Sequence, residues 1–210
     1  MATLMYITAH PLDPQESYSL AVGNEFIEAY REANPTDEIV HLDMYKEDIP
    51  PFDADVLRGW GKLRSGSSFD QLSDAEKSKV ARLEEIVDQY VAADKYVYVS
   101  PMWNFSIPPV MKAYTDATSI PGKTFRYTKD GPVGLLSGKK ALHIQASGSV
   151  YSEGPLAPIE MGYSYLNKVL QFYGIQSVEA IWVEGTASSE KAPAIKEKAI
   201  AHAREVAKRF

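Results

Sequence analysis

The chain contains no cysteine, no long apolar run and no excess of positive charge. Without cysteine it forms no disulfide, thiolate metal site or thiol redox centre, so we expect a reducing, cytoplasmic environment. No apolar segment approaches the roughly 20 residues that span a bilayer, and the N-terminus lacks the pattern of a secretion signal. Lys and Arg number 22 against 28 Asp and Glu, and this net charge of −6 argues against nucleic acid and membranes as partners.

The remaining composition is that of a globular protein. Hydrophobic residues make up 45% and charged residues 24% of the 210 positions, which is enough for a sizeable core. Because no repeat or linker divides the chain, we expect a single domain over residues 1–210.

Short apolar runs alternate along the chain with amphipathic stretches of helical period. The predicted strands are Thr3–Thr8, Glu38–Leu42, Lys95–Ser100, Ala141–Ala146 and Ser177–Glu184. Helices are predicted from Ser17 to Asn34, after Ser73, from Pro108, before Gly174 and over Glu190–Arg209. This order predicts an α/β fold of the flavodoxin-like type, a doubly wound five-stranded parallel sheet in the order 2-1-3-4-5 with helices on both faces.

Two segments exceed what this alternation needs. Asp53–Tyr90 predicts a helical insertion, in which Ser73 and Glu76 form a capping box. Within it, Gly59–Phe69 is rich in glycine and serine and predicts a mobile loop that is a candidate lid. Lys123–Leu136 predicts a β-hairpin around an Asp-Gly turn.

In such a sheet, ligands bind beyond the carboxyl ends of the strands, so the loops after the first, third and fourth strands are candidate site segments. The first loop, His10–Ser19, has neither a Walker lysine nor the GxGxxG pattern. It does place Ser17 and Ser19 at a helix N-terminus, which binds phosphate without a cation. Two alternatives stay open here: Ser17 is only a helix cap, and His10 is either a surface residue or a ligand contact.

The third and fourth loops suggest a flat ligand. In the third, Trp103 and Phe105 are placed to flank a ring, and Asn104 to address its edge. The alternative is an aromatic plug over the core. In the fourth, Ala146–Val150 consists of small residues that let a ligand approach the backbone, unless it is an ordinary flexible turn.

Acid-base machinery is missing from the motifs. None of the four histidines stands beside a nucleophile elbow, and no residue spacing predicts a metal site. If the chain is an enzyme, a cofactor carries its chemistry.

Together these loops resemble those of the FMN-dependent NADH:azoreductase family, within the flavodoxin-like quinone reductases, over essentially the full chain. The most specific segment is PMWNFSIP at 101–108. His10 stands where the family often has serine, and Ser147 where it can have arginine. The resemblance implies FMN-binding roles for His10, Ser17, Tyr18, Ser19, Pro101, Met102, Trp103, Asn104, Phe105, Ala146, Ser147, Gly148 and Ser149.

The resemblance also implies a reaction. NADH delivers a hydride to flavin N5 and leaves, and a quinone or an aromatic azo compound then takes it in a ping-pong cycle, so no side chain is assigned as catalytic. The family forms homodimers in which the hairpin reaches the neighbouring site, and this gives Tyr127 and Phe172 a substrate-binding role. Backbone N–H groups of the third and fourth loops are expected to stabilise the negative charge of the reduced ring.

Two other functions are compatible with the same fold. The first is a flavodoxin-type electron carrier without its own substrate chemistry, although such carriers use a denser Ser/Thr-Gly phosphate loop than His10–Ser19. The second is a non-catalytic binding or scaffold protein, since a fold does not determine a function. The residues rank neither quinones over azo compounds nor NADH over NADPH.

Overall fold

The computed structural model describes all residues from 1 to 210. Seven strands are present: β1 Thr3–Thr8, β2 Glu38–Asp43, β3 Lys95–Pro101, β4 Phe125–Thr128, β5 Gly131–Gly134, β6 Lys140–Ser147 and β7 Ser177–Glu184. Five of them form a parallel sheet in the order β2-β1-β3-β6-β7, and β4 and β5 form an antiparallel hairpin. With the hairpin set aside this is the order 2-1-3-4-5, so the predicted topology and the predicted hairpin are both confirmed.

Six α-helices connect and cover the sheet. They are α1 Tyr18–Ala33, α2 Ala54–Arg64, α3 Asp74–Ala92, α4 Pro109–Thr118, α5 Gly162–Phe172 and α6 Ala192–Arg209. Short 3-10 turns lie at Phe69–Gln71 and Gly154–Ile159. None of the helices has the length and apolar character that crossing a membrane would require.

The sheet has a hydrophobic core on each face because its strands are buried on both sides. Along β1, Met5 and Ile7 belong to the core under α3, α4 and α5, whereas Leu4 and Tyr6 belong to the core under α1 and α6. This alternation follows from the two-residue period of a strand. Because both faces are covered, polar functional groups are left with the ends of the strands. We call the side of the sheet where the strands begin its amino edge and the side where they end its carboxyl edge.

Local sequence signals explain where several helices begin and end. The Oγ atom of Ser17 accepts the N–H of Leu20 at 3.3 Å, so Ser17 caps α1. Ser73 and Glu76 form the predicted capping box at the start of α3. Gly174, with φ of 97°, follows α5 and takes a left-handed conformation that ends it.

The prediction of a loop at Gly59–Phe69 is wrong for its first half, since residues 59–64 are helical, whereas residues 65–68 form a turn and irregular chain. Helix α2 runs through Gly59 to Arg64, capped by Asp53, whose carboxylate accepts two backbone N–H groups of the first turn. Gly59 is buried where α2 meets α3, and a Cβ there would stand 3.0 Å from a methyl group of Val80. Glycine is therefore present for close helix packing, and the weak helix propensity that suggested a loop is overridden by this contact.

The hairpin is held against the end of α5. Leu136 N–H donates to the carbonyl of Tyr173 at 2.8 Å. A Cβ on Gly134 would stand 2.2 Å from the backbone nitrogen of Gly174, so only glycine permits this approach. The hairpin is thus fixed at its base, while its tip, with Tyr127 at 73% exposure, extends into solvent.

Candidate active site

The loops that follow β1, β3 and β6 meet at the carboxyl edge of the sheet and enclose an open cavity of about 220 Å³. The cavity is lined by His10, Glu16, Ser17, Tyr18, Ser19, Pro101, Met102, Trp103, Ala146, Ser147, Gly148 and Thr186. Most of the predicted cofactor-binding residues are therefore brought together at one place. Asn104, Phe105 and Ser149 are the neighbours in sequence of these lining residues.

The N-terminus of α1 supplies neutral hydrogen-bond donors to this cavity. The hydroxyl groups of Ser17 and Ser19 lie 3.1 Å apart, and both residues are buried. The backbone N–H groups of Tyr18 and Ser19 have no acceptor within the chain. Since the lining includes no Lys or Arg, an anion here would be held by the helix dipole, free N–H groups and hydroxyls.

His10 faces the same cavity in a defined tautomer. Its Nδ1 accepts the N–H of Leu12 at 3.2 Å, so the neutral ring carries its proton on Nε2 and can donate from that atom. Burial lowers the pKa of His10 below its usual value, against a smaller opposing effect of the Glu16 charge. Its ring centroid lies 5.8 Å from that of Trp103, which joins the first loop to the third.

A strained turn carries the third loop away from β3. Trp103 and Ser106 exchange backbone hydrogen bonds at 2.9 and 3.0 Å. Between them Asn104 and Phe105 have φ of 49° and 70°, as in a type I′ turn. They are the only non-glycine residues of the chain with positive φ, and their N–H groups have no acceptor within the chain. Backbone strain of this kind is typical of ligand sites.

The aromatic residues of this turn are not a plug over the core. Trp103 is 38% exposed and Phe105 is 46% exposed, so that alternative is wrong. Both rings are available to a flat ligand. The rings of Phe105 and Tyr151, the residue after the fourth loop, meet in a T-shaped pair with centroids 6.4 Å apart.

The fourth loop is anchored at both ends and open in its middle. Ser147 Oγ donates to the carbonyl of Ser149 at 2.8 Å. The N–H groups of Gly148 and Ser149 have no acceptor within the chain. Glu184, at the end of β7, accepts the N–H groups of Tyr151 and Ser152 at 2.9 Å. The open segment therefore offers backbone donors from a held loop.

These features fit FMN in kind and in arrangement. Buried hydroxyls and free N–H groups at a helix N-terminus suit its phosphate. Exposed aromatic faces suit its ring, and unpaired N–H groups of the third and fourth loops suit the acceptor atoms along the edge of that ring. Ser17, Ser19 and Trp103, which line the cavity, and Asn104, which follows Trp103 in the turn, are the residues that would hold it.

Tyr127 and Phe172 do not reach this cavity within one chain. Both pack on Phe125, with ring centroids 5.4 and 4.5 Å from it, so they form one aromatic cluster at the hairpin and the end of α5. Tyr127 is 73% and Phe172 39% exposed. Their predicted substrate role requires a second copy of the chain.

Some residues of the site were not predicted. Glu16 and Thr186 line the cavity, and Thr186 Oγ1 donates to the carbonyl of Ser147 at 3.0 Å. Thr186 follows the last strand at the same edge of the sheet, so the rule that pointed to the other loops also applies to it. Glu184 carries no signal in the sequence, because its role depends on a loop about thirty residues away.

Comparison with known proteins agrees with this geometry. Residues 2–207 match a family described as having a flavodoxin-like fold. An FMN-dependent NADH:quinone oxidoreductase 2 of Bacillus subtilis (strain 168) is 58% identical over the full length of both chains. This chain belongs to that flavodoxin-like family of FMN-dependent NADH:quinone oxidoreductases.

Solved structures of this flavodoxin-like family have the same overall fold. An azoreductase from Bacillus anthracis str. Sterne superposes with a TM-score of 0.93 at 35% identity, covering 100% of both chains. An FMN-dependent NADH-azoreductase from Bacillus anthracis str. Ames Ancestor, in complex with FMN, has a TM-score of 0.92 at 33% identity and covers 99% of this chain and 98% of that one.

Proposed function

We propose that this protein is an FMN-dependent NADH oxidoreductase that reduces quinones and aromatic azo compounds. The observation that carries the proposal is the cavity at the carboxyl edge of the sheet, surrounded by unpaired neutral donors and exposed aromatic rings. FMN, when bound, accepts two electrons from NADH and passes them to the second substrate. The protein itself would bind FMN, orient its ring and stabilise the negative charge that develops on it.

The first loop would bind the phosphate of FMN. Ser17 and Ser19 supply hydroxyls, and the N–H groups of Tyr18 and Ser19 supply the dipole end of α1. His10 adds the proton on Nε2. Because these donors are fixed by the cap of α1 before the ligand arrives, little ordering remains to be done on binding.

The third and fourth loops would hold the ring. Trp103 and Phe105 present aromatic surface, and the Asn104 amide addresses the ring edge. The N–H groups of Asn104, Phe105, Gly148 and Ser149 would stabilise negative charge that develops along that edge. No side chain is assigned as an acid or a base: His143 is fully buried in the core, and His41 bonds Thr8 outside this cavity.

We further propose a cytoplasmic homodimer, with residues 1–210 of each copy as one FMN-binding domain. The support is chemical: Tyr127 and Phe172 are exposed aromatic residues that do not line the cavity at the carboxyl edge of their own chain. In a dimer they would form the wall against which nicotinamide or substrate stacks in the partner's cavity. The absence of cysteine fits a reducing compartment.

Anaerobic titration of the apoprotein with FMN, followed by NADH and then a quinone, tests this function. We expect one FMN per chain, loss of its visible absorption on adding NADH, and recovery on adding menadione. A protein that binds FMN but consumes NADH only with a separate reductase would be an electron carrier. A protein that stays colourless with FMN would contradict the proposal altogether.

A further inference from the structure

Glu160 is a buried carboxylate that no part of the proposed function uses. It is 7% exposed and stands two residues before Gly162, the first residue of α5. Its Oε1 accepts the N–H of Tyr163 at 2.8 Å, and its Oε2 accepts the N–H and Oγ of Ser164 at 3.0 and 2.9 Å. The carboxylate therefore caps the first turn of α5, where negative charge is favoured by the helix dipole.

The same carboxylate ties α5 to the sheet next to the cavity. Gln145, on β6, donates from Nε2 to Glu160 Oε1 at 3.0 Å. That Nε2 atom also lies 3.8 Å from the sulfur of Met102, which lines the cavity. Burial acts to raise the pKa of Glu160, but hydrogen bonds from Gln145 and Ser164 outweigh it and hold the pKa below its usual value.

The residue after Glu160 fastens the strained turn. Met161 N–H donates to the carbonyl of Phe105 at 2.8 Å. The two bonds between Trp103 and Ser106 are internal to the turn. The Met161 bond is the backbone hydrogen bond that links the turn to another part of the chain. A turn with two non-glycine residues at positive φ persists only where its surroundings hold it.

We propose that Glu160 is a positioning residue that holds the Trp103–Ser106 turn in its FMN-binding conformation. It fixes the start of α5, and with it the Met161 N–H that retains Phe105. The inference rests on the proposed FMN function. Loosening this anchor should let the turn relax in the empty site, so FMN would have to restore the strained conformation when it binds.

The test compares two buried carboxylates that each bind the start of a helix, one beside the cavity and one away from it. Glu76 is also buried at a helix N-terminus, accepts the N–H of Ser73 at 2.8 Å and is paired with Lys62, but it lies in the insertion away from the cavity. Glu160→Gln and Glu76→Gln each replace one acceptor oxygen by an amide nitrogen. For each variant we would measure the FMN dissociation constant, the visible spectrum of bound FMN and the melting temperature without FMN.

We expect both variants to melt at a lower temperature, whereas only Glu160→Gln raises the FMN dissociation constant, by about tenfold, and shifts the flavin spectrum. Ser164→Ala, which removes one donor to Glu160, should give a smaller change in the same direction and keeps the test valid if Glu160→Gln folds poorly. Equal FMN affinities and spectra in wild type, Ser164→Ala and Glu160→Gln would overturn the inference. Failure of the wild type to bind FMN would instead overturn the proposed function beneath it.

Discussion

The two edges of the parallel sheet differ in how their polar groups are satisfied. At the amino edge, Asp37 accepts the N–H of Ala2 at 2.7 Å and the hydroxyl of Tyr30 at 2.7 Å. Lys95, the first residue of β3, donates to that same hydroxyl at 2.8 Å. Asp94 accepts the N–H of Thr3 at 2.8 Å, so the beginnings of β1, β2 and β3 are tied together within the protein.

At the carboxyl edge the donors are left for something else. The N–H groups of Tyr18, Ser19, Asn104, Phe105 and Gly148 have no acceptor in the chain, and two of these residues have strained backbones. The contrast teaches that the amino edge contributes stability and the carboxyl edge contributes binding. Changes at the two edges should therefore affect different measurements.

The largest effect is expected from removing the hydroxyls that face the phosphate. Ser17→Ala combined with Ser19→Ala should weaken FMN binding by at least about 100-fold, because two hydrogen bonds to a charged group are lost. Fluorescence titration of FMN measures this loss.

The control for this pair is another helix cap. Ser73 accepts the N–H of Glu76 at 3.3 Å, the same distance as in the cap that Ser17 makes. Ser73→Ala should cost about 1 kcal/mol of stability, as Ser17→Ala does, and should leave FMN affinity unchanged. Equal losses of FMN affinity in both would mean that capping, and not phosphate contact, is what the serine provides.

The next largest effect lies at the amino edge. Asp37→Asn should lower the free energy of unfolding by about 2 kcal/mol, because a half-buried charged acceptor that faces three donors, on Ala2, Tyr30 and Lys95, becomes neutral. Denaturant unfolding measures this change, and FMN affinity should stay at the wild-type value. A loss of FMN affinity would contradict the separation of the two edges.

The pH dependence of stability sharpens the same point. Hydrogen bonds from Ala2 and Tyr30, with a smaller contribution from Lys95, lower the pKa of Asp37 to about 2. A carboxylate whose folded pKa is depressed stabilises the protein above its unfolded pKa of about 4, and this stability is lost as the pH falls towards 2. The wild type should lose more stability than Asp37→Asn over that pH window. Parallel curves of stability against pH for the two proteins would show that the Asp37 carboxylate contributes nothing.

A smaller effect is expected at Asn104, where two variants distinguish the role of the side-chain amide from that of the backbone conformation. Asn104→Ala should weaken FMN binding by about tenfold and cost about 1 kcal/mol of stability, because alanine is disfavoured at positive φ. Asn104→Gly should weaken FMN binding equally without that cost. If Asn104→Gly binds FMN and is reduced by NADH as the wild type is, the amide has no role at the ring.

The smallest effect on the fold is expected at the tip of the hairpin. Tyr127→Ala removes a side chain that is 73% exposed, so stability should change by less than about 0.5 kcal/mol. The apparent KM for a quinone should rise several-fold if this ring forms the substrate wall in a dimer. Steady-state kinetics measures the KM, and sedimentation shows whether the variant is a dimer. Wild-type kinetics in a dimeric variant would show that Tyr127 is not part of the substrate site.

Much of the architecture could be predicted because local and global signals agree. Each strand of the sheet is an apolar run bounded by turn residues, and the structure extends these runs by a residue or two at most. Ser17 and the pair Ser73 and Glu76 cap helices where the sequence placed them. Helix α2 could not be predicted, because Gly59 is there to allow close packing against α3. Nothing in the local sequence indicates that contact.

The loops that line the site could be predicted from the sequence, but the contacts that hold these loops in place could not. The rule that ligands bind at the carboxyl edge, together with PMWNFSIP, identified the loops that line the cavity. The positive φ of Phe105 has no local signal, because aromatic residues rarely adopt it. Glu160 bonds Gln145 on β6, and Glu184 bonds a loop about thirty residues away. A local pattern of residues does not encode such contacts.

The central claim is that FMN is held by neutral donors at the carboxyl edge of the sheet. Amide hydrogen exchange, followed by NMR with and without saturating FMN, tests it residue by residue. We predict that exchange slows by at least about tenfold at Tyr18, Ser19, Asn104 and Gly148, and that the Thr3 amide at the opposite edge exchanges at the same rate. Unchanged exchange at those four amides, in a protein that does bind FMN, would contradict the account.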